Sequence, residues 1–492
     1  MRLNWRIIRQ NTMKKNFYIL YCVTTIFIFN SCEKAFEIPD DVIVKDFVWK
    51  GMNAYYLYQN QIEDLSDRRF SSDQELNSYL RTFSNPFDLF DNLLISDDNK
   101  SRLIEDYTIL GEPELLMEKG FQFGAIIEPG TTDNVICYVL YTLPGSDAEA
   151  SGLQRGDFFN AVNGTQLMRT NFEELLITNT DSEFELTMVD FDGTLVRPTG
   201  SSLTIANQTL IAPSIFMEKI ITQGSEDIGY LMFNNEFSKV YLNDINQTIL
   251  NFDNQAITKL VLDLRYSASG GTFARNIAKL GTMFTGKSSE ETFIKEQWNT
   301  KAQPWFEINQ PDSLVTKFPE NLNVTTPLNS VALTDIYIVL NNTNFSGSSA
   351  IELLINSLNP HLNVHIIGNQ TEGNNTGSIT LYNSVDYDFA FRNDTHTFAL
   401  QPVVLTFLNT NDLGYSRGFA PTLDLCNNED ILNLGDLGES SDPILNRILE
   451  FISIGNTTNS NCNSDDYEHI FNSRSLGANS VMFIEQNLPN TL

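Results

Sequence analysis

Basic side chains are scarce in this chain and stop early: no lysine follows Lys317, and only four histidines occur among 492 residues. The formal net charge is −31. A phosphate backbone is held by clustered Lys and Arg, so this balance excludes nucleic acid as a partner. Acidity of this kind otherwise speaks of solubility rather than of function. Cysteine is also sparse, at five residues. With no Cys/His cluster at metal-ligand spacing, the sequence predicts neither a metal site nor a cofactor. The apolar run Phe17–Phe29 has 13 residues, short of the roughly 20 that a membrane-spanning helix needs.

That run has another use. Lys14 and Lys15 precede it, and Asn30-Ser31-Cys32 follows with a small residue before a cysteine. This is the layout of an export signal ending in a loose lipoprotein box, with Cys32 as the lipidated first residue of the mature chain. Met13 then reads as the true start. The predicted place is the cell envelope, as an outer-membrane lipoprotein facing the periplasm or the outside and touching the membrane through its lipid anchor only. A plain signal peptide or an uncleaved anchor is the other reading. Cys137 lies in the apolar run Val135–Leu140 and reads as an inert buried thiol. An oxidising compartment would allow Cys426 and Cys462 to pair.

At 492 residues the chain calls for two to four domains, and 41% apolar residues suffice to bury their cores. After the signal (1–32), Val44, Phe47, Val48 and Gly51 recur at i, i+3, i+4, i+7 ahead of the aromatic cluster Tyr55–Tyr58. This predicts a helical N-terminal domain over 33–112. Short alternating strands with turn punctuation follow over 113–205. An α/β core spans 206–455, with an acidic, Asn-rich tail over 456–492 that reads as solvated. The fold class is therefore α/β and multidomain.

In the strand-rich part, Gly120-Phe121-Gln122-Phe123-Gly124 forms a Gly-framed apolar segment that reads as a loop. Leu143-Pro144-Gly145-Ser146, Gly152-Leu153-Gln154-Arg155-Gly156-Asp157 and Val162-Asn163-Gly164 follow. This set resembles a PDZ domain. The resemblance implies that an extended peptide adds as a strand and that its terminal carboxylate rests on backbone N–H groups of residues 120–124. A packing module of the same shape with no ligand is the alternative.

Within the core, Leu260–Arg265 and Ile336–Leu340 read as buried strands. Ile351, Leu354, Ile355 and Leu358 mark a helix face, and Val364–Gly368 closes a parallel strand-helix-strand unit. Ser349 falls at the strand-to-helix turn. There, helix N-terminal N–H groups can hold an oxyanion while the hydroxyl attacks a carbonyl. Ser349-Ala350-Ile351-Glu352 is equally a capping box, in which hydroxyl and carboxylate only satisfy the helix end.

The order of Gly229-Tyr230-Leu231, Leu262-Asp263-Leu264-Arg265-Tyr266, Ser349-Ala350-Ile351-Glu352, Gly368-x-x-Thr371-x-Gly373 and Gly418-Phe419-Ala420-Pro421 resembles the C-terminal-processing, or tail-specific, serine peptidases. The resemblance implies Ser349 as nucleophile, with Ala350 and Gly270 or Gly271 supplying oxyanion N–H groups. It also implies unfolded polypeptides or protein C-terminal tails as substrates. The general base of that family is a lysine directly after the Gly-x-x-Thr-x-Gly stretch, and here Asn374 stands in its place. A second departure is the loop Tyr266–Gly271, whose glycines come late. A lysine whose pKa is depressed by burial can accept the serine proton, whereas an amide is essentially non-basic. Lys287, Lys295, Lys301 and Lys317 precede the nucleophile turn and would have to fold back to it. His361, His365 and His396 are the other conceivable bases. Two readings result: a PDZ-guided serine peptidase, or a catalytically impaired relative that grips peptides as a scaffold. Both place the Ser349 hydroxyl on an open cleft beside the Asn374 amide.

Overall fold

The computed structural model describes residues 38–110, 116–117, 119–235, 237–267, 272–340, 348–425, 429–455, 467–473, 481–485 and 488. Cys32, Gly270, Gly271, Cys426 and Cys462 lie outside the described residues. Among the described residues no helix is long and apolar enough to cross a membrane. The architecture is α/β, with helices at the N-terminal end and several sheets, one of them mainly parallel.

Helix α1 (Ile43–Tyr55) buries the face set by Phe47, Val48 and Met52. These side chains share a core with Leu381, Leu400 and Phe407 from the far end of the sequence. Gly51 makes that approach possible, because a Cβ added there would lie 2.7 Å from Leu400 Cδ2. Helices α2 (Asp73–Leu80) and α3 (Pro86–Asn92) start where Ser72 and Asn85 accept hydrogen bonds from the backbone N–H groups of Glu75 and Asp88. Such caps supply partners that the first helical turn lacks.

An antiparallel sheet follows, built from β1 (Phe121–Ile127), β2 (Val135–Thr142), β3 (Phe158–Val162), β4 (Glu183–Phe191) and β5 (Val196–Ala206). Short helices α4 (Asp147–Ala150) and α5 (Phe172–Leu176) flank it. Residues 121–124 are thus strand rather than loop. The reason is period-two burial: Phe121, Phe123 and Ala125 enter one core with Phe159 and Phe172, while Ile126 enters another with Ile136, Tyr138 and Leu140. Gly120 alone keeps a turn backbone, with φ +70° and its carbonyl accepting from Leu143 N at 2.7 Å.

The central sheet runs β6 (Met217–Gln223), β7 (Glu226–Met232), β8 (Lys259–Asp263), β9 (Asp335–Val339), β10 (Asn363–Gly368) and β11 (Leu423–Asp424). Every neighbouring pair is parallel except the antiparallel edge pair β6–β7. A sheet of this kind is covered on both faces, which accounts for the continuous apolar runs of β8 and β9. Leu260, Leu262, Ile336 and Ile338 pack with α6 (Leu242–Asn254), α7 (Ala274–Thr285) and α8 (Ser349–Leu358). Val261, Tyr337 and Val339 face α9 (Pro443–Ile454) on the other side. Along α8, Ile351, Leu354, Ile355 and Leu358 are all 0% exposed. Each such side chain contributes on the order of 2 kcal/mol of burial.

The segment after 456 is not a solvated tail throughout. Strand β12 (His469–Asn472) pairs antiparallel with β1, and β13 (Met482–Phe483) lies parallel to both Thr272–Phe273 and Thr376–Ser378. Apolar residues spaced through the Asn-rich background, among them Phe471, Met482 and Ile484, supply the contacts that an average over composition conceals.

Candidate active site

The turn from β9 into α8 places two serines differently. Ser348 is the cap, and its Oγ accepts from Ile351 N at 3.3 Å. Ser349 is the first helical residue, and its hydroxyl is not spent on the cap. The capping box expected from Ser349 and Glu352 therefore does not form. The serine hydroxyl that caps is one residue earlier, and Glu352 reaches across to a different loop. Its Oε1 accepts from Gly373 N at 2.6 Å and its Oε2 from Asn374 N at 2.7 Å. Burial pushes the Glu352 carboxyl up, opposed by a hydrogen bond from Thr371 and by those two N–H groups.

The clamp explains why the loop has its glycines. Gly373 has φ +90°, and an added Cβ would lie 2.6 Å from both Gly418 N and Ser416 O. Gly418 has φ +67°, and a Cβ added there would lie 2.0 Å from Thr371 O. Thr371 N donates to Phe419 O at 3.1 Å, and Phe419 N returns a bond to Thr371 Oγ1 at 2.8 Å. The Gly-x-x-Thr-x-Gly and Gly-Phe-Ala-Pro stretches, 45 residues apart in sequence between Gly373 and Gly418, are thus two sides of one clasp. Glu352 ties the clasp to α8.

Asn374 emerges from this clasp with its Nδ2 2.6 Å from Ser349 Oγ. Thr376 Oγ1 donates to Asn374 Oδ1 at 3.0 Å, which aims the amino group at the serine. The amide thus donates where a general base would accept. Turned over, it would present a carbonyl oxygen, which cannot hold a proton at neutral pH either. The Ser349 residue is 2% exposed, so the hydroxyl is covered rather than open on a cleft. Ala350, at 4% exposure, is the second residue of α8, where a backbone N–H has no carbonyl partner within the helix. A cavity of about 440 Å³ opens beside β13 among Phe273, Ile379, Tyr382, Tyr387, Ile484 and Glu485. Ser349 does not line it.

The other bases considered are engaged elsewhere. Lys287 pairs with Glu291, Lys295 with Asp412 and Lys301 with Asp67, and Lys317 is exposed at a strand end. His365 bonds Asp335 at 3.0 Å and stacks on Tyr337, His361 packs against Phe318, and His396 meets Asn383. Burial pushes the His361 and His396 imidazoles down. No group of three or more His, Cys, Asp or Glu side chains able to hold a metal occurs among the described residues. Cys137 is fully buried, which pushes its thiol up.

One cluster escaped the sequence reading. Arg265, 1% exposed, binds Asp263 at 2.7 Å and Asp442 at 2.8 Å. Glu429 joins it to Arg155, whose Nη1 also donates to Leu140 O and Tyr266 Oη, both at 2.6 Å. Asp442 in turn caps α9 through Ile444 N and Leu445 N. Burial works against the Glu429 charge, yet the guanidinium groups of Arg155 and Arg265 hold its carboxyl below the usual range. The available signal was Arg265 at the end of a buried strand, a position that demands a partner.

Residues 44–107 match the family model described as the Peptidase S41 N-terminal domain. A comparison with curated proteins finds no match. Among solved structures, a Bacteroides fragilis protein described as an S41 protease aligns over 86% of this chain and 100% of its own, at 23% identity and a TM-score of 0.63. A photosystem II D1 C-terminal processing protease aligns over 83% of this chain and 100% of its own, at 16% identity and a TM-score of 0.45. The family likeness thus lies in residues 44–107, and over most of its length the chain shares its fold with the Bacteroides fragilis protein.

Proposed function

We propose that this chain is a peptide-gripping member of the peptidase fold in which hydrolysis at Ser349 is impaired. The observation that carries the reading is the Asn374 amide at 2.6 Å from the Ser349 hydroxyl, at the position where the resembling family has its lysine. Acyl transfer begins when a base takes the serine proton. A positioned general base is worth about 10²- to 10⁴-fold in rate, and an amide supplies none of it. The antiparallel sheet β1–β5 serves as a PDZ-like module that takes an extended polypeptide, and a lipid on Cys32 tethers the protein at the outer membrane.

A slow but real peptidase is the second reading. It is favoured by the placement of the cap on Ser348, which leaves the Ser349 hydroxyl outside the helix-capping arrangement. The test exposes wild type and Asn374→Lys to a serine-directed fluorophosphonate and to an unfolded protein substrate. Labelling and cleavage confined to the variant are the expected result. Labelling of Ser349 with substrate turnover by the wild type would overturn the impaired reading.

A further inference from the structure

The outer edge of β1 carries its own occupant. β12 pairs with it antiparallel, setting Phe471 opposite Ala125 and Asn472 opposite Gly124. Ile127 N donates to Glu468 O at 3.0 Å, and Ser473 N to Phe123 O at 2.9 Å. Phe123 N donates to Ser473 Oγ at 2.9 Å. The Phe471 ring lies 5.2 Å from that of Phe123 on β1 and 5.6 Å from that of Phe172 on α5, so it fills the groove between strand and helix. Arg169 holds Glu468 at 2.7 Å beside that groove.

Strand addition with a side chain in a flanking pocket is how an extended peptide is recognised by a sheet edge. We infer that residues 467–473 are an intramolecular ligand of the β1 edge, holding the place of an incoming polypeptide and leaving before one can bind. The inference rests on the peptide-gripping reading proposed above and gives its ligand a chemistry. The edge takes an extended segment with an aromatic residue between Phe123 and Phe172 and a small hydroxyl residue two positions later, beside Gln122.

The occupant is built to be displaced. Its ladder shifts register between His469 and Phe471, and five of its seven residues are half-buried, with Glu468 exposed and Asn472 buried. A covalently tethered segment presents itself at an effective concentration on the order of millimolar, so it outcompetes a free peptide of equal intrinsic affinity at micromolar concentration. A substrate therefore binds only if it fits the groove better or arrives with further contacts.

The probe is a fluorescent peptide with the sequence of residues 467–473, titrated by anisotropy against full-length wild type, Phe471→Asp and Ser473→Pro. Ser473→Pro removes the backbone donor to Phe123 and leaves the aromatic ring, so it serves should Phe471→Asp fail to fold. Hydrogen exchange over residues 121–127 is read on the same samples. The expected result is at least tenfold tighter peptide binding by the variants, with faster exchange along β1 when no peptide is present. Equal binding by all three proteins would overturn the inference and leave the peptide-gripping reading standing. Faster exchange in the variants with no binding by any protein would overturn the peptide-gripping reading itself.

Discussion

Two buried polar clusters follow neighbouring strands of the central sheet, and they are held on opposite terms. After β8, the guanidinium groups of Arg265 and Arg155 face three carboxylates, those of Asp263, Glu429 and Asp442, and every one is in an ion pair. Beyond β9, the Glu352 carboxylate is held by two backbone N–H groups and a threonine hydroxyl, and the side chain set toward Ser349 is a neutral amide. The first cluster joins the antiparallel sheet, the central sheet and α9, and each of its charges has an opposite partner. The second positions a serine, and the side chain that meets its hydroxyl is an amide that takes up no proton. Losing charge in the first would damage the fold, whereas the frame of the second is closed by hydrogen bonds from backbone N–H groups and hydroxyls.

The largest effect expected from this contrast is on Arg265. Arg265→Met removes the partner of three acidic groups, two of which are 0% exposed at the side chain. Leaving buried charges unpaired costs about 3–5 kcal/mol. Urea unfolding measures the loss, and a change below about 1 kcal/mol would mean that the cluster is far wetter than its geometry indicates. Glu352→Ala is the matching test on the other side. It strips the acceptor from Gly373 N and Asn374 N, and a buried unsatisfied donor costs about 1–3 kcal/mol. The same variant frees the Asn374 loop, which should appear as faster hydrogen exchange over residues 371–376.

Acidity should move the two clusters in opposite directions. Glu429 is depressed below its ordinary 4.5, so the stability it contributes is present above 4.5 and lost as pH falls through its folded value. Glu352 is raised above 4.5, so its contribution is fully present below 4.5 and lost as pH rises through its folded value. Thermal midpoints of Glu429→Gln and Glu352→Gln against pH check this. The deficit of the first variant relative to wild type should shrink toward acid, and that of the second should shrink toward neutrality. Parallel profiles would show that one of the two environments has been misassigned.

The frame of the molecule was legible because its signals are local. The continuous runs of β8 and β9 and the i, i+3, i+4, i+7 face of α8 each specify an element from a single stretch of chain. The juxtaposition of Ser349 with Asn374 was legible through the motif order that carries the family resemblance. What was hidden depends on partners distant in sequence. The edge of β1 is closed by residues about 350 positions away, as the bond between Phe123 and Ser473 illustrates. Residues 120–124 read as a loop because the two framing glycines mask the alternation of Phe121, Phe123 and Ala125 that makes them a strand paired with β2. The clasp that seats Asn374 against Ser349 was likewise unreadable, since it joins Thr371 and Gly373 to Ser416, Gly418 and Phe419.

The smallest effect separates the two serines at the head of α8. If Ser348 is the cap, Ser348→Ala removes the acceptor for Ile351 N and should cost about 1 kcal/mol, the ordinary worth of such a cap. Ser349→Ala leaves the Ser348 cap and the Thr376 bond that orients Asn374 in place, so its cost should be the smaller of the two. The sequence alone allowed the reverse, because Ser349 with Glu352 three residues on has the spacing of a capping box. Unfolding of both variants under one set of conditions decides between them. If Ser349→Ala proves the more damaging, the hydroxyl is structural and the clasp around Asn374 holds a helix end. If Ser348→Ala does, the second serine is held in place without being needed there, which is the condition a nucleophile, active or retired, has to meet.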